Sequence, residues 1–390
     1  MELSHILNEL GEDREGYFNA VSPPIIQSSN FAFRDVAALR EALRNEFEHD
    51  LYSRGNNPTV GILRKKLAAL DEAEDSLVFG AGVGAIAIPI LSLLRQGDHV
   101  VSVARPYNWT VKLFDNMLPK YGITTTYVDG TRVENFEQAL QPNTKLLFLE
   151  SPNSFTFELQ DIPAVVNLAR SRGLLTMIDN SYCSPIYQKP YAMGVDLVAQ
   201  TATKFIGGHS DVVAGVVSGS RETIRRIFET EFMTVGGNIS PFNAWLLIRG
   251  LRTLPLRLER ICASTKKIVN ALADHPRVEK IIFPFHPSFA QYDLALKQMK
   301  DCGGLFSIVL KAQRLEEVER FCNSLEHFLL AVSWGGHESL VIPWAAGMAP
   351  ADFNPKDGRH RTVRFYIGLE DADYLLSDIQ RALSLVGTKA

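Results

Sequence analysis

Two charged residues stand in stretches that otherwise read as buried. Asp179 closes an apolar run in LLTMIDNSYCSP, and Lys204 sits among small and apolar neighbours in DLVAQTATKFIGGHSD. A charge taken out of water costs several kcal/mol even after relaxation, so each needs a partner or a task. Taken singly, Asp179 would serve as a turn or cap residue, and Lys204 as a lysine snorkelling at a strand end. A lysine desolvated in such a place, however, loses its proton more readily and becomes a nucleophile suited to Schiff-base chemistry. A third stretch, SLVFGAGVGAIA at 76–87, runs from an apolar strand through alternating glycines into an apolar helix. Glycines there let the backbone approach a phosphate, and the helix start offers unpaired N–H groups and about half a positive charge.

Gly80, Gly82 and Ala85 approximate the fingerprint of a dinucleotide fold. A nicotinamide-dependent oxidoreductase would also need an acid at the end of the second strand for the ribose hydroxyls, and HVVSVARP has none. Pyridoxal phosphate (PLP) meets all three features at once. It is held by a lysine, it needs an acid beside its ring nitrogen so that the ring can act as electron sink, and its phosphate needs a cradle. The glycine turn, with the hydroxyls of Thr201 and Thr203, supplies that cradle.

The elements that must position these groups follow from the apolar pattern. Strands are expected at 77–79, 99–103, 124–128, 145–149, 174–178, 196–200 and 212–217, with amphipathic helices such as PAVVNLARSRG between them. Seven strands alternating with helices predict an α/β sheet, mostly parallel, whose ligands collect at the carboxyl ends of the strands. Residues 1–60 read as an N-terminal arm plus a helix, DVAALREALRNEFE behind an Asp cap, for contact with a neighbouring subunit. Residues 61–240 form the cofactor-binding domain. Residues 241–390 form a smaller C-terminal α+β domain, opened by a long helix that starts at Ser240 and Pro241 and that Pro255 should kink.

Composition narrows the class. The 390 residues are 46% hydrophobic, enough for a large core, and 40 basic against 44 acidic residues, without long runs, leave no footprint for nucleic acid. No stretch approaches the roughly 18 apolar residues of a membrane span, and the acidic N-terminus is unlike a signal peptide. Cys183, Cys262, Cys302 and Cys322 lack CxxC spacing, and the nine histidines lack metal-ligand spacing, so a cytoplasmic chain without a metal is expected.

The stretch TATKFIGGHSD resembles the lysine signature of the Cys/Met-metabolism, or trans-sulfuration, PLP enzymes of fold type I. YSRGNNPTV at 52–60, ESPNSFTFELQDI at 150–162, IDNSYCSP at 178–185, ISPFNAWLLIRGLRTL at 239–254, SWGGHESL at 333–340 and VRFYIGLED at 363–371 resemble that family's other blocks, in its order. The resemblance implies that Lys204 carries the cofactor and later serves as base, that Asp179 pairs with the ring nitrogen, and that Tyr107 stacks on the ring within the catalytic set. It implies that Gly82, Val83, Thr201 and Thr203 hold the phosphate, joined by Tyr52 and Arg54 from the neighbouring subunit of a homotetramer. Arg364 would fork onto the substrate α-carboxylate beside Ser154, Ser333 and Trp334. His209, Ser210 and His337 are given packing or bystander roles. Ser154 and Trp334 resemble the cystathionine β-lyase branch, so β-elimination, giving pyruvate, ammonia and homocysteine, is expected first. YSRGNNPT and SPPIIQSS lie closer to γ-acting members, which keeps γ-elimination and γ-replacement open. A non-catalytic descendant would be expected to lose Lys204, Asp179 or Arg364, and all three are present.

Overall fold

The computed structural model describes residues 1–387; the last three residues of the expected C-terminal domain lie outside it. The chain divides into two compact units. The first comprises 1–153, 159–207 and 211–253, and the second comprises 154–158, 208–210 and 254 onward.

In the first unit a seven-stranded sheet is built from β1 (Asp75–Phe79), β2 (His99–Val103), β3 (Thr124–Val128), β4 (Thr144–Glu150), β5 (Leu175–Asp179), β6 (Leu197–Gln200) and β7 (Gly215–Gly219). The spatial order is β1-β7-β6-β5-β4-β2-β3, and only β7 runs against the others. Side chains alternate across a strand, and in the central strands β4, β5 and β6 both sets are mainly apolar, whereas the edge strand β3 is threonine-rich and only partly buried. Leu146 and Phe148 of β4 join Met177 and Ala199 in one core, while Leu147 and Leu149 join Ile178 and Val198 in the core of the opposite face. A sheet buried on both faces is the reason these strands read as short continuous apolar runs.

The helices start where side chains can satisfy their first N–H groups. Asp35 accepts from the Ala38 N–H at 2.8 Å to open Val36–Arg44, Asp161 accepts from Ala164 to open Ile162–Ser171, and Ser240 accepts from Asn243 ahead of Pro241–Arg252. The N-terminal segment is tied down by a buried cation: Lys66 of the helix Pro58–Asp71 donates to the Ile6 and Leu7 carbonyls and pairs with Glu12 at 3.2 Å.

The long helix expected from Ser240 is two helices. Pro241–Arg252 ends at Thr253, and Leu254–Leu272 begins with Pro255 in its first turn. Proline cannot donate to a carbonyl four residues back, but it is tolerated where a helix starts, so the chain breaks instead of kinking. The break is also where the units divide. Helix Pro241–Arg252, expected at the head of the C-terminal domain, lies in the first unit.

The second unit holds β8 (Val278–Ile282), β9 (Leu305–Leu310), β10 (Leu329–Leu330), β11 (Leu340–Pro343) and β12 (Thr362–Tyr366), in the order β10-β11-β12-β9-β8. Its pairs are antiparallel except β10 with β11. Its core contains an aromatic cluster: Phe306 and Phe365 stack at 5.2 Å, with Phe321 and Phe328 set edge-on against Phe365. Helix Ala372–Ser384 closes the described chain. Among the described residues no helix is long and apolar enough to cross a membrane.

Candidate active site

Because six of the seven strands of the first unit are parallel, their carboxyl ends share one edge, and the charged residues of the sequence gather there. Asp179 is the last residue of β5 and only 7% exposed. Its Oδ1 accepts from the Ser181 N–H at 3.0 Å and from the Ser181 hydroxyl at 2.6 Å, a local turn that an Asp followed two residues later by Ser favours. Oδ2 has no hydrogen-bond partner among the described residues. Burial pushes the Asp179 carboxyl up; the Ser181 bonds and the charge of Lys204 pull it back. Lys204 follows β6 in a turn whose N–H bonds the Thr201 carbonyl, and it is half-buried.

Ser181 does a second job. Its oxygen accepts the Thr201 N–H at 2.7 Å, tying the exit of β5 to the exit of β6. Thr201 in turn packs against the glycine turn: a Cβ added to Gly82 would come within 2.4 Å of Thr201 Oγ1, so only glycine fits. The N–H groups of Gly82 and Val83 donate to nothing among the described residues, and Val83 precedes helix Gly84–Leu93 without a side-chain cap. That is a helix start left open for an anion. The two threonines differ. Thr201 Oγ1 has no partner among the described residues, whereas the Thr203 hydroxyl donates to the Ala214 carbonyl and accepts the Ala214 N–H. The Thr203 hydroxyl is thus held against the backbone of Ala214, while that of Thr201 is not so engaged.

Tyr107, beyond β2, is 41% exposed and heads the short helix Asn108–Lys112; its N–H is held by Glu150 Oε2 at 2.6 Å. Burial raises its hydroxyl pKa, and the negative charges of Asp179 and Glu150 raise it further. Glu150 and Ser181 escaped the sequence reading, although Asp-x-Ser at a strand exit is a recognisable turn signal. Tyr52 and Arg54 belong to the same unit, both exposed, with the guanidinium 5.6 Å from the Tyr52 ring.

In the second unit Arg364 lies on β12, 9% exposed, and burial brings its pKa down to about 10. It has neither a hydrogen bond nor an ion pair among the described residues; its guanidinium lies 4.5 Å from the centre of the Phe155 ring. The paired donors of a guanidinium match the geometry of a carboxylate, and those of Arg364 engage no carboxylate among the described residues. Ser154, beside Phe155 in sequence, and Ser333 and Trp334 are half-buried in the same unit, with Ser333 at φ +78°. Ser210 donates to Glu338 at 2.6 Å, and the 63%-exposed His337 side chain meets the same carboxylate at 3.2 Å.

The features of the first unit fit PLP on observations of this chain: an acid with one oxygen pinned and one open, an open helix start behind a glycine that cannot be enlarged, and a lysine within the field of the acid. The comparisons agree. The model of the family described as Cys/Met metabolism PLP-dependent enzyme matches residues 5–384. An L-methionine gamma-lyase of Treponema denticola is 37% identical over 375 residues, covering 94% of this chain and 93% of that protein. A cystathionine gamma-lyase of Mus musculus is 37% identical over 339 residues, covering 85% of this chain and 84% of its own length. The crystal structure of metB from Corynebacterium glutamicum superposes with a TM-score of 0.90 at 32% identity and 98% coverage of both chains. The chain belongs to the Cys/Met metabolism PLP-dependent enzymes, and it is a carbon–sulfur lyase whose cofactor is pyridoxal 5'-phosphate.

Proposed function

We propose that this enzyme cleaves the side-chain carbon–sulfur bond of a small sulfur amino acid, with γ-elimination as its principal course. The observation that carries the cofactor's placement is the buried Asp179 carboxylate, pinned at one oxygen and open at the other. When bound, the cofactor supplies an electron sink that stabilises negative charge at the substrate Cα. The open oxygen of Asp179 holds the ring nitrogen protonated. Gly82, Val83 and the Thr201 hydroxyl take the phosphate, with Thr203 supporting the backbone through Ala214. The amine of Lys204 removes the Cα proton, a step worth about 10²–10⁴-fold for a well-placed base. Tyr107, whose hydroxyl pKa is raised by its surroundings, would pack on the ring and has a proton to give a departing thiolate. Arg364 takes the α-carboxylate, assisted by Ser154, Ser333 and Trp334.

The γ course is favoured because the methionine and cystathionine lyases similar to this chain are named for that carbon. It requires Lys204 to move a second proton, from Cβ. The β course of the cystathionine β-lyase branch stays as the second reading, supported by Ser154 and Trp334. The reading includes a cytoplasmic homotetramer in which Tyr52 and Arg54 serve the neighbouring subunit's phosphate.

The test is product analysis with L-cystathionine and L-methionine. The γ reading expects 2-oxobutyrate, with cysteine from the first and methanethiol from the second. Pyruvate with homocysteine from cystathionine would transfer the assignment to β-elimination, and no keto acid from either would overturn the lyase reading.

A further inference from the structure

The Arg364 guanidinium is buried with no anionic partner among the described residues, and the group that covers it is a ring. Phe155 lies 4.5 Å from the guanidinium carbon, within the range of a cation–π contact. The ring is held in place by an unusual arrangement. Phe155 has φ +64°, a left-handed conformation that a bulky aromatic residue adopts only when its surroundings compel it. Two contacts compel it: Ser307 Oγ donates to the Phe155 carbonyl at 3.1 Å, and Trp344 meets the ring edge-on at 5.0 Å. Ser307 is also the residue paired with Arg364 across β9 and β12, so one cross-strand pair carries both the cation and the hydroxyl that anchors its cover.

We propose that Phe155 is a positioning residue for substrate recognition: its ring fixes the Arg364 guanidinium and leaves the donor edge open for the substrate α-carboxylate. The inference rests on the carboxylate role given to Arg364 above. A carboxylate partner from the protein would fix the guanidinium equally well, but it would occupy the donors the substrate needs. A ring face attracts the cation without using an N–H. The ordering of the side chain is then complete before substrate arrives, and binding does not have to supply it.

The test is steady-state kinetics of the holoenzyme with several amino-acid substrates. Phe155→Leu should raise KM for all of them by roughly three- to thirtyfold, the value of a partly desolvated cation–π contact, with kcat within about twofold. Phe155→Gly, which the left-handed backbone accommodates without strain, should fold and show the same split; Phe155→Tyr should restore the wild-type KM. Arg364→Lys separates the two layers. If it raises KM while the folded Phe155 variants do not, Phe155 has no positioning role and the carboxylate reading stands. If Arg364→Lys itself leaves KM unchanged, the inference falls together with that reading.

Discussion

Ser181 holds Asp179 through both its backbone and its hydroxyl, and both bonds land on the same carboxylate oxygen. Burial drives this carboxyl toward its neutral form, which could not support a protonated ring nitrogen; the Ser181 bonds and Lys204 oppose that drift. Removing the hydroxyl weakens the opposition, so the carboxyl rises and must be ionised at higher pH. Ser181→Ala is therefore expected to shift the acid limb of the kcat/KM profile to higher pH, with a smaller loss on the alkaline side, and Ser181→Thr should keep the wild-type profile. An acid limb unmoved in Ser181→Ala would show that Lys204 and the backbone N–H suffice. Asp179→Asn should go further and lose about 10²–10³ in kcat, because the developing charge loses its fixed counter-ion.

At the scale of elements, the parallel sheet was legible because central strands buried on both faces leave short apolar runs, and the cofactor was legible because a lysine, an acid and a glycine turn, each ordinary when taken singly, stand together at the exits of those runs. What escaped was decided by tertiary context. β10 has only two residues, both exposed, and VEKII of β8 is half polar, so neither carries a pattern of its own. Phe155 and Arg364 are joined through a cross-strand partner that no local spacing announces. The same holds for Asp71, at the end of helix Pro58–Asp71, which binds that helix to two strands: Gln200 Nε2 and Ser218 Oγ each donate to it at 2.6 Å. Burial pushes its carboxyl from 3.8 up to about 7. Below pH about 4 the group is protonated folded or unfolded. Between about 4 and about 7 the unfolded chain releases the proton and the folded chain keeps it, so this group lowers stability as pH rises through that window. The Tm of Asp71→Asn relative to the wild type should therefore rise as the pH goes from 4 to 7; a Tm difference that stays constant over that range would mean that Asp71 is ionised in the fold.

At the scale of the whole molecule, the first unit contains the lysine, acid and glycine turn, yet Tyr52 and Arg54 stand exposed on the same chain and, among the described residues, meet in ring contact only with each other. Their proposed task lies on the neighbouring subunit, and symmetry makes that testable without a structure of the assembly. In a twofold dimer each site would take Lys204 from one chain and Arg54 from the other. Lys204→Ala and Arg54→Ala chains should each be nearly inactive alone. After mixing and subunit exchange, half the dimers are mixed, and in each of these one site has both residues intact while the other has neither. About a quarter of wild-type activity should therefore return. A mixture that stays at the level of its parents, after exchange has been verified by mass, would place Arg54 in the service of its own chain's site or of no site at all.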